Sequence, residues 1–228
     1  VAGSNFGAGG DFSRSVRIGG TACAVESTLW THGSVVCRLA AGAGASRGVD
    51  IEMQGDSDPS RSQSVSAAAM FTYSPPSVTR VVLSASNPTS GGATITVEGA
   101  SFGATASSLA VQVGGSLCSS PSAVGHTSLM CVVAAGVGKQ LDVSVTVESQ
   151  AGSVARSYSY DPPLVSSVSP GTGPTSGDIS VSVAGSNFGG SASISRVIQI
   201  GGTACAVESM LWTHESVVCR LAAGSGAS

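Results

Sequence analysis

The chain has few charged side chains and few aromatic ones. Charged residues make up 10% of the 228 residues, aromatic residues 4%, and Lys139 is the only lysine. Ten basic residues against thirteen acidic ones give a net charge of −3, and the basic residues form no cluster. Because nucleic-acid binding depends on basic side chains that neutralise phosphates, we expect no nucleic-acid partner.

Long apolar runs and acceptors for N-linked glycans are also missing. No stretch approaches the roughly 18–20 apolar residues that a bilayer span needs, so we expect no membrane span in this sequence. None of the three asparagines is followed by a usable Ser or Thr, since Pro88 disqualifies the motif at Asn87. Serine and threonine are abundant, so carbohydrate is expected to be O-linked, with the linker Ser74, Pro75 and Pro76 as the best candidate.

A long internal repeat is the strongest feature of the sequence. Residues 1–46 recur almost unchanged as residues 183–228, including the identical runs IGGTACAVES and SVVCRLAAG. A divergent third copy lies between them, because the pattern G-x-x-F-G begins at Gly3, Gly99 and Gly185. A fixed long period is typical of tandem arrays.

Two proline pairs mark the boundaries between the repeated modules. The runs F-T-Y-S-P-P (71–76) and Y-S-Y-D-P-P (158–163) each join a strand-like aromatic segment to prolines that cannot continue a ladder. We therefore predict modules at 1–74, 75–161 and 162–228. The first lacks the counterpart of 163–182 and the third that of 47–74, so we expect a missing N-terminal strand and missing C-terminal strands, as in a piece of a longer array.

Apolar and polar residues alternate in the strand-like segments, for example at Val143, Val145 and Val147. This period of two, with Gly, Pro and Ser between short segments, predicts an all-β fold of sandwich modules. We expect the modules to follow one another as a rod.

Each predicted module contains two cysteines, and the spacing between them is almost the same in all three modules. The spacing favours local disulfides over a zinc site, which would normally show C-x-x-C pairing and a second half-site. The expected pairs are Cys23–Cys37, Cys118–Cys131 and Cys205–Cys219. Disulfides indicate an oxidising, extracellular setting, either secreted or at the cell surface.

The order of these motifs resembles the IPT/TIG family. The carriers of the resemblance are P-T-S-G (88–91 and 174–177), G-x-x-F-G, I/V-G-G-x-x-C, a second cysteine in S-V-V-C or S-L-M-C, and a closing F-T-Y or Y-S-Y. The resemblance covers essentially the whole chain. It implies an immunoglobulin-like sandwich of the early-set type, shared with plexins, related receptors and some transcription factors, whose usual role is to space, bind or dimerise.

No catalytic, metal or cofactor site is expected. The histidines His32, His126 and His214 occupy the same place in the three modules, which favours a turn or strand-start role over three equivalent active sites. The glycine-rich segment 171–177 lacks the Lys-Ser/Thr of a nucleotide loop. An acidic group at Asp50, Glu52, Asp56 and Asp58 fits a solvated loop better than a calcium site.

Trp30 and Trp212 lie between the paired cysteines. We expect them to be buried beside the disulfides; the alternative is an exposed ring that contacts a carbohydrate or a partner.

The sequence therefore predicts a structural, non-catalytic repeat module of an extracellular filament or surface-coat protein. The expected partners are neighbouring modules or copies of the same protein. The alternative is a ligand-binding ectodomain of a cell-surface receptor or adhesion protein.

Overall fold

The computed structural model describes residues 1–7, 12–55, 59–103, 108–190, 196–208 and 211–225. Within these residues the fold is all-β, with eighteen strands and two short 3-10 turns. The strands belong to consecutive sandwich modules, as the alternating pattern predicts, and their arrangement is consistent with the immunoglobulin-like fold that the resemblance implies.

The strands follow the module order. In the first module they are β1 (Phe12–Ile18), β2 (Thr21–Val25), β3 (Cys37–Arg38), β4 (Arg47–Gly55) and β5 (Gln63–Phe71), with 3-10 turns at Ser27–Leu29 and Pro59–Arg61. In the second they are β6 (Ser77–Val82), β7 (Thr94–Ala100), β8 (Leu109–Val113), β9 (Ser116–Leu117), β10 (Ser119–Ala123), β11 (Ser128–Val132), β12 (Leu141–Val147) and β13 (Gln150–Tyr158). In the third they are β14 (Leu164–Ser169), β15 (Ser180–Ser186), β16 (Ile198–Ile200), β17 (Thr203–Val207) and β18 (Ser216–Arg220).

The middle module is a sandwich of two antiparallel sheets. One sheet has the order β10-β11-β7-β6 and the other the order β13-β12-β8-β9. Alternate residues of β7 and β12 face each other across the core, and Ile95, Val97, Val143 and Val145 have no exposed surface. Burial of these β-branched side chains is the main stabilising contribution, since aromatic rings are few.

Each of the two outer modules has one strand that crosses from one sheet to the other. In the first module β2 pairs with β1 at Cys23 and with β3 at Val25, within the order β3-β2-β1-β4-β5. In the third module β17 pairs with β16 at Cys205 and with β18 at Val207. In the middle module the same path is divided between β9 and β10, on either side of Cys118. The first cysteine of every module therefore lies where the chain changes sheet.

The three predicted disulfides are confirmed. The Cα atoms of the pairs Cys23–Cys37, Cys118–Cys131 and Cys205–Cys219 are 5.6, 5.7 and 5.5 Å apart. Each bond ties the crossing segment to the next strand, so it links the two sheets of one module. A loop of about 15 residues closed by a disulfide contributes about 3 kcal/mol in the chain-entropy estimate.

The G-x-x-F-G motif sets a core phenylalanine at the edge of each module. A Cβ added at Gly3, Gly99 or Gly185 would meet the ring of the phenylalanine three residues later, so the glycine is required for close approach. The positive φ values belong instead to two later residues of the motif. They are 65° for Asn5, 61° for Ser101 and 60° for Asn187 at the third residue, and 66°, 62° and 74° for the closing glycines Gly7, Gly103 and Gly189.

Aromatic pairs close the first two modules. Phe71 and Tyr73 have ring centres 5.0 Å apart, and Tyr158 and Tyr160 have theirs 5.1 Å apart, both edge to face. The hydroxyl of the second residue of each pair donates to a backbone carbonyl, from Tyr73 to Ala40 at 3.2 Å and from Tyr160 to Ala134 at 2.8 Å.

The hydroxyl of Tyr158 is the exception. It has no hydrogen-bond partner in the part of the chain that the structure describes, although only 1% of the residue is exposed. Burial, with a smaller contribution from Tyr160 and Asp161, raises the pKa of Tyr158 to about 12, so the neutral hydroxyl is retained at ordinary pH. The first module has Phe71 in this place.

We predict that Tyr158→Phe raises the free energy of unfolding by roughly 1 kcal/mol, because it removes a buried polar group without a partner. Tyr160→Phe should lower it by about 0.5–1.5 kcal/mol, because the bond to Ala134 is lost. Urea unfolding of the two variants measures both effects. Equal destabilisation by the two changes would contradict the assignment of the unpaired hydroxyl.

Candidate functional site at the module junctions

The first linker runs from Tyr73 through Ser74 and Pro75 to Pro76, between β5 and β6. Gln150 of the second module donates its Nε2 to the carbonyl of Tyr73 at 3.1 Å. Ser74 and Pro75 are exposed, whereas Pro76 is buried. The linker is therefore bonded to the module that follows it. O-glycosylation of this linker stays a prediction, and the exposure of Ser74 is compatible with it.

An ion pair and an apolar contact join the first two modules beside this linker. Arg47 Nη2 of β4 lies 3.0 Å from Glu148 Oε2, in the turn between β12 and β13. The other oxygen of this carboxylate accepts the backbone N–H of Ser108 at 2.9 Å. Arg47 Nε donates to the carbonyl of Ala43, and Ala43 packs against the core of the middle module. The two side chains of the ion pair are 31% and 18% exposed, so solvent screens the pair only in part.

The second linker, Asp161 to Pro163, is bonded on both sides. Asp161 Oδ2 accepts the backbone N–H of Asn87 and the hydroxyl of Ser86, both at 2.9 Å. The backbone of Asp161 also donates to the carbonyl of Asn87 at 2.9 Å. On the other side, Asn187 Nδ2 donates to the carbonyl of Pro162 at 3.4 Å. The linker thus contacts the module before it and the module after it.

A buried threonine joins the second and third modules directly. Thr89 lies in the loop between β6 and β7 and is only 2% exposed, although it is polar. Its backbone N–H donates to Asn187 Oδ1 at 3.2 Å, and its hydroxyl lies 2.9 Å from His214 Nδ1. A buried polar group needs such partners, since an unpaired one costs about 1–3 kcal/mol. The contact between Thr89 and the Asn187–His214 pair is called the threonine junction below.

The backbone of the third module fixes both residues that receive Thr89. Asn187 adopts a positive φ immediately before Phe188, which is partly buried against the core of the third module. The carbonyl of His214 accepts the N–H of Phe188 at 2.9 Å, which places the imidazole beside the asparagine. The same bond recurs in the other modules, where the N–H of Phe6 donates to the carbonyl of His32 and that of Phe102 to the carbonyl of His126, at 3.0 Å each. The histidines therefore have the turn role that their period predicts, and His214 has a junction role in addition.

Sequence reasoning missed the threonine junction. Thr89 and His214 are 125 residues apart, and no local pattern connects them. The one available signal is that the P-T-S-G loop and the Asn-Phe-Gly motif recur at a long period.

Within the described residues no group of three or more His, Cys, Asp or Glu side chains could hold a metal ion. Asp50 and Glu52 lie on β4, while Asp56 and Asp58 fall outside the described residues.

The structure places Trp30 inside the first module. It is 5% exposed, its Nε1 donates to the carbonyl of Phe6 at 2.7 Å, and the Arg14 guanidinium lies 5.2 Å from its ring centre. Trp30 is therefore buried, as expected from its position between the paired cysteines. Trp212 is half-buried, and Arg196 lies over it at 4.9 Å. A carbohydrate or partner contact through these rings stays a prediction.

A cleft of about 280 Å³ lies on the first module, next to the Phe6 edge. Its lining includes Phe12, Arg14, Arg61 and Gln63. The Arg61 guanidinium lies 4.7 Å from the ring centre of Phe12. The cleft is slightly smaller than the roughly 300–1,000 Å³ of typical small-molecule sites.

No helix in the described residues has the length and apolar character of a membrane span.

Comparison with known proteins identifies the modules. The sequence model of the IPT/TIG domain matches residues 1–73, 76–160 and 163–228. Several solved structures also match, each distantly, and three of them illustrate the range. The plexin A4 full extracellular region matches at 18% identity over 100% of this chain and 20% of that chain, with a TM-score of 0.34. SGBP-B from a complex xyloglucan utilization locus in Bacteroides uniformis matches at 16% over 68% of this chain and 44% of that chain, with a TM-score of 0.31.

The third structure is surface layer protein SbsC, domains 4–9, at 12% identity over 96% of this chain and 36% of that chain, with a TM-score of 0.23. This chain spans about a fifth of the plexin chain and less than half of the other two. Scores this low carry no information about binding or activity.

We predict that the two junctions differ in strength. Thr89→Val should lower the free energy of unfolding by about 1–2 kcal/mol, because it leaves His214 Nδ1 without its partner in a partly buried contact. Arg47→Leu should cost less than about 1 kcal/mol, because the ion pair is partly exposed and the middle module has Leu141 in the same place. Urea unfolding of the full chain measures both.

Ser90→Ala is the matched control for the threonine junction, since Ser90 is the exposed neighbour of Thr89 in the same loop. It should leave the free energy of unfolding unchanged. An effect of Arg47→Leu as large as that of Thr89→Val would contradict the ranking.

Proposed function

The chain belongs to the IPT/TIG domain family, and from this premise we propose that it is a structural, non-catalytic part of an extracellular filament or surface-coat protein. Its partners in this role are neighbouring modules or further copies of the same protein. The observation that carries the proposal is the bonding of both linkers to the modules beside them. A linker that is bonded in this way transmits orientation from one module to the next.

Each linker contains two prolines, which restrict φ and remove backbone donors. Proline-rich linkers act as semi-rigid spacers, whereas flexible linkers are rich in Gly and Ser. Here the stiff linkers are supplemented by the Arg47–Glu148 ion pair at the first junction and by the threonine junction at the second. Such junctions suit an element that sets distance and direction.

Three disulfides support an extracellular location, because such bonds form and persist in oxidising compartments. The low content of charged residues, 10%, fits a role that depends on packing between modules more than on electrostatic steering of a ligand. The abundance of Ser and Thr supports O-linked glycans as a surface modification, with Ser74 as the candidate in the first linker.

A second candidate function is the ligand-binding ectodomain of a receptor or adhesion protein. The cleft with the Arg61–Phe12 stack favours it, because guanidinium groups and aromatic rings are common contacts of anionic and sugar ligands. The cleft belongs to the first module alone, whereas the stiff junctions join all three modules. The structural role is therefore the better supported of the two functions.

We predict that electron microscopy of the native material shows filaments or a coat with a repeat of two modules. A module of about 90 residues is roughly 40 Å long, so the two-module repeat should measure roughly 70–90 Å with extended linkers, given strands that rise about 3.3 Å per residue. Isolated receptor-like particles without a periodic repeat would contradict the structural role and favour the second candidate.

A further inference from the structure

The loop between β11 and β12 of the middle module contains the only lysine of the sequence, Lys139, followed directly by Gln140. Both residues are exposed. Among the described residues, neither of these side chains takes part in an ion pair or a hydrogen bond. The pair therefore presents an amine and a primary carboxamide to solvent, next to each other on one loop.

The backbone of this loop does not depend on the glutamine side chain. The first module forms the same loop with Ser46 in the place of Gln140. The φ values are 52° for Ser46 and 54° for Gln140. The N–H of Ser46 donates to the hydroxyl of Thr72 at 3.1 Å, and the N–H of Gln140 donates to the hydroxyl of Ser159 at 2.9 Å. The two loops therefore have the same local structure.

A module that follows this loop leaves it accessible. In the first module, Ala45 and Ser46 stand in the places of Lys139 and Gln140, and both are exposed although the complete middle module follows them directly. The third module likewise leaves Lys139 and Gln140 exposed. The loop is thus open to solvent within a continuous array, and small side chains are sufficient to form it. The lysine and the glutamine are therefore available for a role outside the fold.

From these observations we propose that Lys139 and Gln140 form a cross-linking site, at which an enzyme of the transglutaminase class joins copies of the chain covalently. The inference rests on the proposed function, since it names the bond that fixes copies of a filament or coat protein to one another. In the reaction, Nζ of Lys139 attacks Cδ of Gln140 in another copy. The bond from Cδ to Nζ forms, the bond from Cδ to Nε2 breaks, and Nε2 leaves as ammonia with the proton that Nζ gives up. No oxidant or reductant takes part.

The position of Gln140 in a loop favours it over the other glutamines as the acyl donor. A primary carboxamide does not react with amines in water without a catalyst, so the glutamine must reach the active site of the enzyme. Exposed loops meet this requirement better than strands, whose backbone is already paired. The remaining glutamines of the sequence all lie within strands: Gln54, Gln63, Gln112, Gln150 and Gln199.

Incubation of the full chain with a purified transglutaminase tests the proposal. Dansylcadaverine, an amine probe, should be incorporated at Gln140, and a biotinylated glutamine-donor peptide at Lys139, as located by tandem mass spectrometry. Without the probes, the enzyme should produce covalent oligomers that persist on reducing gels, since the three disulfides lie within single modules. Each copy carries one amine and one carboxamide at the site, so oligomers larger than dimers are expected.

Two conservative variants separate the two reacting groups. Lys139→Arg keeps the positive charge without the reactive amine, and Gln140→Asn keeps a carboxamide on a side chain that is one methylene shorter. Neither variant alone should form covalent oligomers. An equimolar mixture of the two should form dimers and nothing larger, because each dimer uses the only intact amine and the only intact carboxamide. Gln112→Asn, at an exposed glutamine of β8 in the same module, is the matched control and should cross-link like the wild type.

Circular dichroism verifies that every variant is folded. A wild-type chain that forms no covalent oligomers, while the same enzyme cross-links casein, would overturn the proposal. Cross-linking of either variant alone would also overturn it, as would incorporation of dansylcadaverine at the strand glutamines to the same extent as at Gln140.

Tandem mass spectrometry of the native material separates this inference from the proposed function. We expect a pair of peptides joined from Lys139 to Gln140 with the loss of one ammonia. A periodic filament without this bond would refute the cross-link alone, whereas the bond in material without a periodic repeat would refute the structural role alone.

Discussion

The arrangement of the modules depends on the burial of a polar loop from one module against the beginning of the next. Thr89 is almost fully buried, so its N–H and hydroxyl must find partners, and the third module supplies them from Asn187 and His214. Hydrogen bonds are directional, whereas apolar contacts are not. The threonine junction therefore sets the orientation of the third module. The hydrogen bonds of Asp161 fix the linker against the second module in the same arrangement.

This junction is only as stiff as the modules that it joins, and those modules have small cores. Valine and isoleucine fill most of the space between the sheets, and single phenylalanines such as Phe102 close one edge. A domain of this size buries a limited share of its surface, so a covalent link is valuable. The disulfide lies where the chain passes between the sheets, and the same strand path leads to the histidine turn. In the third module the disulfide thus stabilises the edge that contacts the Thr89 loop of the second module.

The features that depend on short spacing were predictable from the sequence. The alternation of β12 predicts a buried face, and the nearly constant interval between paired cysteines predicts the disulfides, because both partners lie within one module. The junction was not predictable in this way. Its partners, Thr89 and His214, are distant in sequence and individually common in turns. Likewise, the first module has Arg47 where the middle module has Leu141, and the reason becomes clear only from the contact between Arg47 and Glu148 in the structure.

Amide hydrogen exchange at Thr89 and Thr175 tests the central claim most directly. Both amides lie in a Pro-Thr-Ser-Gly sequence, so their intrinsic exchange rates match, and each serves as the reference for the other. In dilute wild-type protein we predict that the Thr89 amide exchanges at least about tenfold more slowly than the Thr175 amide, because Thr89 is buried and Asn187 accepts its N–H. Asn187→Gly should abolish the difference. Equal exchange of the two amides in the wild type would contradict a fixed junction between the modules.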